Sequence, residues 1–347
     1  MKTYGMNDRF AALSSMYENL SIGRVILQEK GLYRIVTEKG EQLAEVSGKF
    51  RYNAKTVSDF PSVGDFVMTD NSGNGNAVIH HILDRKSCFM RKAAGSDRQE
   101  QVVASNIDTL FLCMSLNNDF NLRRMERYLS IAWDSGASPV IVLTKADLCE
   151  DIHSRLSETE GIAFGVDIIV TSSMEKDGYK KLMPYMTDGK TVAFIGSSGV
   201  GKSTLINRLM GEELLETNGL RNDDKGRHTT THRELLLLPT GGMVIDTPGM
   251  RELGMWDSAA GIDRTFSDIE ELAAQCKFSN CSHSGEKGCA VCAAIENGLI
   301  SADRLISYNK LRAELSYSED SEGYLAAKQR KFKEIAKYNR SNRKINR

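Results

Sequence analysis

The sequence contains no apolar run that approaches the roughly 20 residues a membrane-spanning helix needs. The stretch from Met1 to Leu13 has no long apolar run and no cleavage-site pattern, so we predict neither a membrane span nor a signal peptide. The formal net charge is only −1, and the overall charge therefore indicates no class of partner. Internal repeats and long low-complexity linkers are also missing, which argues against a repeat protein.

The sequence has seven cysteines, an odd number. An odd number without an export signal argues against a framework of disulfides. We therefore expect reduced thiols and a cytoplasmic protein.

Four of the cysteines lie close together near the C-terminus, where the sequence follows the pattern C-x4-C-x-H-x5-C. Three thiolates and one imidazole suit a closed, tetrahedral structural Zn²⁺ site with no open position for catalysis. Cys292 is a spare thiol that could replace one ligand, and on spacing we place it outside the metal shell. Unligated thiols are the alternative. The predicted zinc ligands are Cys276, Cys281, His283 and Cys289.

A chain of 347 residues is too long for one ordinary hydrophobic core, so we expect two or three domains. The first zone, about Ser21 to Asp84, holds five short alternating segments separated by turn formers such as Glu38-Lys39-Gly40. Five short strands with such turns predict a small antiparallel β-barrel of the OB type. A β-meander without a ligand is the alternative that this pattern leaves open.

The second zone, about Val102 to Leu253, alternates apolar strands with amphipathic helices. NIDTLFLCMSL reads as a buried strand, and LRRMERYLSIAWDSG as a helix that ends at Gly136. The segments SPVIVLTKAD, VDIIVTSS and TVAFIGSSG continue the pattern. Such alternation predicts a mostly parallel sheet with helices on both faces, which binds ligands beyond the carboxyl ends of its strands.

A phosphate-binding loop is the most specific motif of this zone. GSSGVGKS matches G-x-x-x-x-G-K-[ST], between the apolar strand TVAFI and the helix-like STLINRLMG. Its glycines let backbone N–H groups converge on a phosphate, Lys202 can reach the β- and γ-phosphates, and the Ser203 hydroxyl can ligate Mg²⁺. This context weighs against a glycine turn that only joins a strand to a helix. The predicted nucleotide contacts are Gly196, Ser197, Ser198, Gly199, Val200, Gly201, Lys202, Ser203 and Thr204.

Two further strand ends predict that the base is guanine. In TKAD, the Asp147 carboxylate can accept hydrogen bonds from the guanine N1–H and exocyclic amine, a donor pair that adenine lacks. An ATPase would require that this carboxylate not read the base. The Lys145 stem can lie across the base, and a backbone N–H near Ser172 can meet the guanine O6. The predicted base contacts are Thr144, Lys145, Ala146, Asp147 and Ser172.

The segments after the phosphate loop contain candidates for sensing the γ-phosphate. GRHTTTHRE offers a threonine as a Mg²⁺ ligand, for which we select Thr230, with Thr229 and Thr231 left open. The strand GGMVID ends at Asp246, a carboxylate that can hold Mg²⁺ directly or through water. Gly249, in the D-T-P-G motif, can donate its N–H to the γ-phosphate.

The position after that glycine is Met250. In Ras-like enzymes a glutamine here orients the attacking water, and a thioether cannot do so. We therefore predict slow hydrolysis by the isolated protein unless another group or a partner positions the water. His228 in the threonine segment is the catalytic candidate within the chain, and a solvated loop histidine is the alternative.

The motifs resemble those of translation-factor-type GTPases, but TKAD and TSS precede the phosphate loop instead of following it. Such a circular permutation is feasible because every motif is a loop at one edge of one sheet. Together with the barrel and the Cys₃His spacing, the permuted motifs resemble the RsgA family over nearly the whole chain. The resemblance implies a GTPase that binds the small ribosomal subunit in its GTP state and hydrolyses GTP late in subunit maturation when the ribosome stimulates it. Thr144 replaces the asparagine of the usual motif and leaves Asp147 in place.

Two basic runs are candidate RNA contacts. RKSCFMRK places four cations around Phe89, and the tail from Ala326 has nine Lys/Arg and one acid. Either run could instead be a solvated face. We expect a monomer without membrane contact whose partners are GTP or GDP and the small subunit with its rRNA. The alternatives are a nucleotide-gated rRNA-binding assembly protein with incidental hydrolysis, and a permuted GTPase of the large subunit.

The predicted fold class is therefore multidomain. It combines an N-terminal OB-fold β-barrel, a circularly permuted α/β P-loop GTPase domain and a mostly α zinc-binding domain. The predicted boundaries are a flexible N-terminus at 1–20, the barrel at 21–90, the GTPase domain at 91–254, and the zinc-binding domain with its basic tail at 255–347.

Overall fold

The structure is a computed structural model, and the residues it describes are 1–29, 31–70, 75–92, 100–211, 233–246 and 259–319. The chain divides into two compact units, Met1–Gly254 and Met255–Arg347. Among the described residues, no helix has both the length and the apolar character that a membrane crossing requires.

The first unit begins with a five-stranded barrel. Its neighbour order is β1-β2-β3-β5-β4, and β4 pairs back onto β1 to close the barrel. The strands β3 and β5 are parallel neighbours, a pairing that a simple β-meander does not contain. The predicted five-stranded barrel is therefore confirmed and the meander excluded, but the prediction that all its strands are antiparallel is wrong at the β3–β5 pair. The strands are β1 (Ser21–Glu29), β2 (Leu32–Thr37), β3 (Gly40–Val46), β4 (Phe66–Asp70) and β5 (Ala77–Ile82).

The N-terminal residues 1–20 are folded onto this barrel, which corrects the prediction of a flexible N-terminus. They contain a short 3₁₀ helix and the helix α1 (Asp8–Ser14), which begins after Asn7. The Asn7 side chain accepts the N–H of Phe10 at 3.2 Å and so caps the helix. Phe10 is buried, and its ring centroid lies 4.0 Å from that of Phe66 on β4. Burial of this ring offsets the entropy cost of ordering the segment.

A short helix, α2 (Gly48–Asn53), lies between β3 and β4, and a hairpin of β6 (Cys88–Lys92) and β7 (Glu100–Ser105) follows the barrel. The predicted boundary between residues 90 and 91 falls inside β6.

The basic run at this hairpin does not present an aromatic ring to RNA. Phe89 is only 1% exposed. Arg85 donates two hydrogen bonds of 2.8 Å to the buried carboxylate of Asp65, and the Lys86 ammonium lies 2.5 Å from Asp108. Lys86 thus links the end of the barrel region to Asp108, and Arg85 is bound within the barrel region. The aromatic part of the predicted RNA patch is wrong because Phe89 is buried, and the side chains of Arg91 and Lys92 lie outside what the structure describes.

The α/β part of the first unit has six strands in the order β10-β9-β8-β11-β13-β12, with every neighbouring pair parallel except β13 and β12. A mostly parallel sheet was predicted, and it is confirmed. The strands are β8 (Thr109–Ser115), β9 (Ser138–Thr144), β10 (Asp167–Val170), β11 (Thr191–Ile195), β12 (Arg233–Leu237) and β13 (Met243–Asp246). The helices are α3 (Leu122–Ser135), α4 (Ile152–Glu160) and α5 (Lys202–Met210), and α3 ends at Gly136 as predicted.

The barrel and the α/β sheet are hydrogen-bonded into one continuous sheet of eleven strands. The link is the antiparallel pairing of β1 with β12, in which Leu27 is opposite Glu234 and Gln28 is opposite Arg233. The strand β12 directly follows the threonine segment in sequence. The end of that segment is therefore attached to the barrel through main-chain hydrogen bonds.

Arg24 on β1 is a second link between barrel and sheet, and it is buried. It donates to the carbonyl oxygens of Tyr4 (2.7 Å) and Gly64 (3.2 Å) and to the hydroxyl of Thr191 at the start of β11 (2.9 Å). Its guanidinium carbon lies 4.9 Å from the ring centroid of Phe66. Burial lowers the pKa of Arg24 to about 10.

Replacing Arg24 by methionine is expected to lower the free energy of unfolding of the first unit by about 2 to 4 kcal/mol, because several buried acceptors lose their donor. Urea unfolding of the full chain followed by intrinsic fluorescence measures this loss. The control is Arg34→Met on the neighbouring strand β2, where the side chain is exposed and the change should stay within about 0.5 kcal/mol. Equal effects of the two substitutions would contradict the assignment.

The second unit is mostly helical, as predicted. Its helices are α6 (Ala259–Thr265), α7 (Ser267–Ala273), α8 (Ala290–Glu296) and α9 (Ala302–Glu319). Arg304 of α9 is buried and donates two hydrogen bonds, of 2.7 and 2.8 Å, to the carboxylate of Asp268 in α7. It also donates to the carbonyl oxygen of Thr265 at 2.9 Å. The basic tail from Ala326 lies outside the described residues.

Candidate nucleotide site and candidate metal centre

Three loops that carry sequence motifs meet at the carboxyl edge of the parallel strands. They follow β9, β10 and β11, which lie in one sheet with β8. The Thr144 hydroxyl at the end of β9 donates to the carbonyl oxygen of Val200 in the phosphate loop at 2.7 Å. The N–H of Ala146 donates to the carbonyl oxygen of Thr171 after β10 at 3.3 Å. Residues distant in sequence are thus joined directly, and the predicted base and phosphate loops form one site.

The phosphate loop runs from the end of β11 to the start of α5. Gly196 has a φ of 153°, and a Cβ at this position would lie 2.5 Å from the carbonyl oxygen of Cys113 on β8. Only glycine therefore fits under the loop. Burial raises the pKa of the Cys113 thiol to about 12, so this side chain stays neutral beneath the loop. At the loop tip, Ser198 and Gly199 are exposed, and a Cβ at Gly199 would meet no atom within 4 Å.

Lys202 is the first residue of α5. Its ammonium donates to the carbonyl oxygens of Gly196 and Ser197, both at 2.7 Å. Ser203 and Thr204 follow it in the first turn of the helix and are half-buried. The carbonyl oxygens of the phosphate loop therefore hold the Lys202 ammonium at the edge of the sheet. The N-terminus of α5 presents its free N–H groups at the same edge.

The base loop is shaped by Lys145, which has a left-handed backbone with a φ of 56°. Asp147 is exposed, and one of its oxygens accepts a short hydrogen bond from the Ser172 hydroxyl. That hydroxyl also accepts the N–H of Met174 at 3.0 Å. The buried Ser172 thus orients the carboxylate while leaving its second oxygen to face solvent or a ligand.

Arg208 of α5 joins the loop after β10 to the phosphate-loop helix. Its guanidinium donates to the carbonyl oxygen of Glu175 at 2.8 Å and, through a short hydrogen bond, to that of Ser173. A helix that begins at the phosphate loop therefore also supports the base loop. Arg208 was not among the predicted residues, because its role depends on a loop about 33 residues away in sequence.

The predicted γ-phosphate sensors are only partly described. Asp246 is the last residue of β13, opposite Glu234 in the antiparallel pair with β12. Only its backbone is described. His228, Thr230 with its two neighbours Thr229 and Thr231, Gly249 and Met250 lie outside the described residues.

Asp119 is a residue of this site that sequence reasoning missed. It lies between β8 and α3, and its Oδ2 atom accepts hydrogen bonds from the Ser197 hydroxyl at 2.6 Å and from Arg124 Nη1 at 2.8 Å. These bonds, that of Arg124 first, hold the pKa of Asp119 below its ordinary value. The sequence could have indicated Asp119, because this carboxylate closely follows β8, and β8 ends at the same edge of the sheet as its parallel neighbours β9 and β11.

The Thr144 hydroxyl gives a direct test of the link between base loop and phosphate loop. Thr144→Val keeps the shape of the side chain and removes the 2.7 Å bond to Val200. We expect nucleotide affinity to fall about 5-fold, which corresponds to roughly 1 kcal/mol for one buried hydrogen bond. A fluorescent GDP titration measures it. Thr144→Ser keeps the hydroxyl and should bind as the unsubstituted chain does; a Val variant with unchanged affinity would show that the bond is irrelevant.

The second unit contains a cluster of three thiols and one imidazole between α7 and α8. The ligating atoms of Cys276, Cys281, His283 and Cys289 all lie within 4.8 Å of one another. Sγ of Cys276 is 3.8 Å from Sγ of Cys289, and the two sulfurs lie 3.7 and 3.4 Å from Nδ1 of His283. A tetrahedral zinc site has ligand-to-ligand edges of roughly 3.6 to 3.8 Å. The cluster is therefore compatible with zinc in both donor type and spacing.

Cys292 takes a supporting position beside this cluster. Its N–H donates to Sγ of Cys289 at 3.3 Å, so the Cys289 sulfur also caps α8. Its own thiol donates to the carbonyl oxygen of His283 at 3.5 Å. Burial raises the pKa of Cys289, but the Cys292 N–H and the His283 ring lower it more, to about 6.

The fold and these loops define a class of protein. A parallel strand, a glycine loop and a helix that begins with Lys202 form a P-loop nucleotide site. The strands that carry the base loops precede this site in the chain and lie beside it in the sheet. The chain is thus a circularly permuted P-loop protein, and the predicted permutation is confirmed.

Known proteins identify the family. A sequence model of the RsgA GTPase family matches residues 82–256. The chain is 50% identical over 316 residues to small ribosomal subunit biogenesis GTPase RsgA 2 of Lactiplantibacillus plantarum, which covers 90% of this chain and 89% of that protein. The chain belongs to the RsgA family, and it is a GTPase.

Solved structures agree with this assignment. The crystal structure of YjeQ from Thermotoga maritima has a TM-score of 0.63 and 29% identity, covering 85% of this chain and 98% of that one. The crystal structure of YloQ, described as a circularly permuted GTPase, has a TM-score of 0.61 and 27% identity, covering 86% and 96%. Both neighbours support the barrel, the permuted α/β region and the family in one chain.

Proposed function

We propose that this protein binds the small ribosomal subunit and hydrolyses GTP during late maturation of that subunit, at a rate that the ribosome stimulates. The observation that carries the proposal is the 50% identity, over 90% of the chain, to a relative named as a small ribosomal subunit biogenesis GTPase. The joined base and phosphate loops support a nucleotide site of the kind that such an activity needs.

In this proposal the guanine base lies against the loops after β9 and β10. Asp147, oriented by Ser172, accepts the two donors of guanine, and the Lys145 stem covers the base. Thr144 and Ala146 keep these groups in register with the phosphate loop. The phosphates lie over Gly196 to Thr204, where the backbone N–H groups and the ammonium of Lys202 neutralise their charge.

Ser203 and Thr230 would hold a Mg²⁺ ion with the nucleotide, near Asp246 at the end of β13. Hydroxyl and carboxylate oxygens are the donors that Mg²⁺ prefers. The ion, when bound, neutralises charge on the phosphates. His228 and Gly249 remain the proposed groups for the attacking water and the γ-phosphate. Because Met250 cannot orient water, we expect slow turnover without a partner.

Zinc at Cys276, Cys281, His283 and Cys289 would have a structural role. Four protein ligands fill a tetrahedral shell, so such an ion crosslinks the loop between α7 and α8 and takes no part in hydrolysis. The barrel and the basic tail are the proposed rRNA contacts. We further propose that the protein acts in the cytoplasm as a monomer.

The test compares GTP turnover with and without purified small subunits. We expect at least a 10-fold stimulation by small subunits and none by large subunits, together with co-sedimentation that requires a non-hydrolysable GTP analogue. Turnover without stimulation, combined with GTP-dependent co-sedimentation, would favour a nucleotide-gated assembly protein with incidental hydrolysis. Stimulation by large subunits alone would overturn the proposal.

A further inference from the structure

Asp119 lies beside the phosphate loop and has no part in the function proposed above. It belongs to the connection between β8 and α3, whose shape is fixed by local hydrogen bonds. Asn117 accepts the N–H of Asp119 at 3.1 Å and the Ser115 hydroxyl at 2.8 Å through the same side-chain oxygen. The carboxylate is therefore directed at the loop by its own backbone, and it bonds Ser197 and Arg124 through one oxygen.

The contacts continue from Asp119 to the phosphate-binding lysine. The Ser197 side chain is held by Asp119, and the Ser197 carbonyl oxygen accepts from Lys202 at 2.7 Å. The Gly196 carbonyl accepts a second bond from the same ammonium. An ammonium has three donors, and two of those of Lys202 are directed by the carbonyl oxygens of Gly196 and Ser197. The position of Ser197 thus sets the direction of the lysine.

A carboxylate this close to a phosphate site requires compensation for its charge. Arg124 pairs with the oxygen that also accepts from Ser197, and both members of the ion pair are half-buried. Lys145 of the base loop also lies near enough to favour the ionised carboxylate. Asp119 can therefore hold Ser197 without repelling the nucleotide.

We propose that Asp119 is a positioning residue for GTP hydrolysis, which acts through Ser197 on the ammonium of Lys202. This inference rests on the proposed nucleotide site. When the hydrogen bond between Asp119 and Ser197 is lost, the phosphate loop can shift. The Lys202 ammonium then stabilises the charge of the transferred phosphoryl group less well. Loss of this bond therefore weakens the contact of Lys202 with the γ-phosphate more than it weakens the other contacts of the nucleotide.

The experiment is a double-mutant cycle of Asp119→Ala and Ser197→Ala in the full chain, read by GTP turnover and by the affinities for GDP and a non-hydrolysable GTP analogue. We expect each single variant to lower kcat/KM about 10-fold and the double variant to lose no more than either one. Affinity for the GTP analogue should fall several-fold more than affinity for GDP. The control is Asp167→Ala at the opposite end of β10, whose carboxylate accepts the Tyr185 hydroxyl and which should leave turnover unchanged.

Several outcomes would overturn the proposal. If the kcat/KM loss of the double variant were the product of the two single losses, Asp119 and Ser197 would act independently. Equal losses of GTP and GDP affinity would show that Asp119 has only a structural role. Asp119→Asn keeps an acceptor oxygen but loses the charge, so a loss of about 3-fold is expected; this variant decides the matter if Asp119→Ala does not fold. An unsubstituted chain that neither binds nor hydrolyses GTP would instead contradict the proposed nucleotide site.

Discussion

Replacing Cys289 by serine is expected to remove the metal from the second unit and to unfold the segment between α7 and α8. Its sulfur lies 3.8 Å from the Cys276 sulfur and 3.4 Å from the His283 ring nitrogen. It also accepts the N–H of Cys292 in the first turn of α8 and so caps that helix. Structural zinc sites contribute roughly 10 kcal/mol or more of binding free energy, and a missing thiolate should lower zinc affinity at least about 1,000-fold.

The matched control is Cys292→Ser, three residues further along. Cys292 contributes its N–H and a thiol bond to the His283 carbonyl, and serine can make both. Metal content measured by mass spectrometry should therefore be about one zinc per chain for the control and close to none for Cys289→Ser. Thermal unfolding should show an early transition only in the latter and in the unsubstituted chain treated with a chelator. Zinc loss in both variants would place Cys292 within the metal shell.

The site could be predicted from the sequence wherever a motif directly follows a strand. In a parallel sheet the ends of neighbouring strands share one edge, so Gly196 to Ser203, Thr144 to Asp147 and Ser172 had to lie close together once their strands were recognised. The Cys/His cluster was predictable for a related reason. Its four ligands lie within one short segment, and their meeting requires no knowledge of distant contacts.

Other features depend on contacts between segments far apart in sequence. Phe10 orders the N-terminal residues because it meets Phe66, and nothing near Phe10 in the sequence indicates that partner. The sequence RKSCFMRK suggests that Phe89 is an exposed ring between cations, but the ring is buried. One of those cations, Arg85, forms an ion pair with the buried Asp65. Asp119 lies in no recognised motif, and its contact with Ser197 spans 78 residues.

The continuous sheet is the largest of these tertiary effects. Neither β1 nor β12 carries a pattern that indicates the other as its partner, since the hydrophobic pattern of a strand indicates which face is buried and not which strand it pairs with. Their pairing attaches the strand that follows the threonine segment to the barrel.

Replacing Asp147 by asparagine is expected to change the preferred base from guanine to xanthine. Guanine offers two donors, the N1–H and the exocyclic amine, and a carboxylate accepts both. Xanthine keeps the N1–H but carries an oxygen in place of the amine, and an asparagine amide supplies the matching acceptor and donor. The Ser172 hydroxyl can still donate to the amide oxygen, so the side chain keeps its orientation.

The mismatch of a donor facing a donor should weaken GTP binding about 100-fold or more, because a polar group in the site loses its partner. The same substitution should strengthen binding of the xanthosine nucleotide by a comparable factor. Titrations with fluorescent guanosine, xanthosine and adenosine triphosphates measure both changes, and turnover with each nucleotide follows the binding order. Asp167→Asn removes the same charge from the far end of β10 and should leave the guanine preference intact. An Asp147→Asn variant that still prefers GTP would mean that this carboxylate does not read the base, and the guanine assignment would then rest on the family alone.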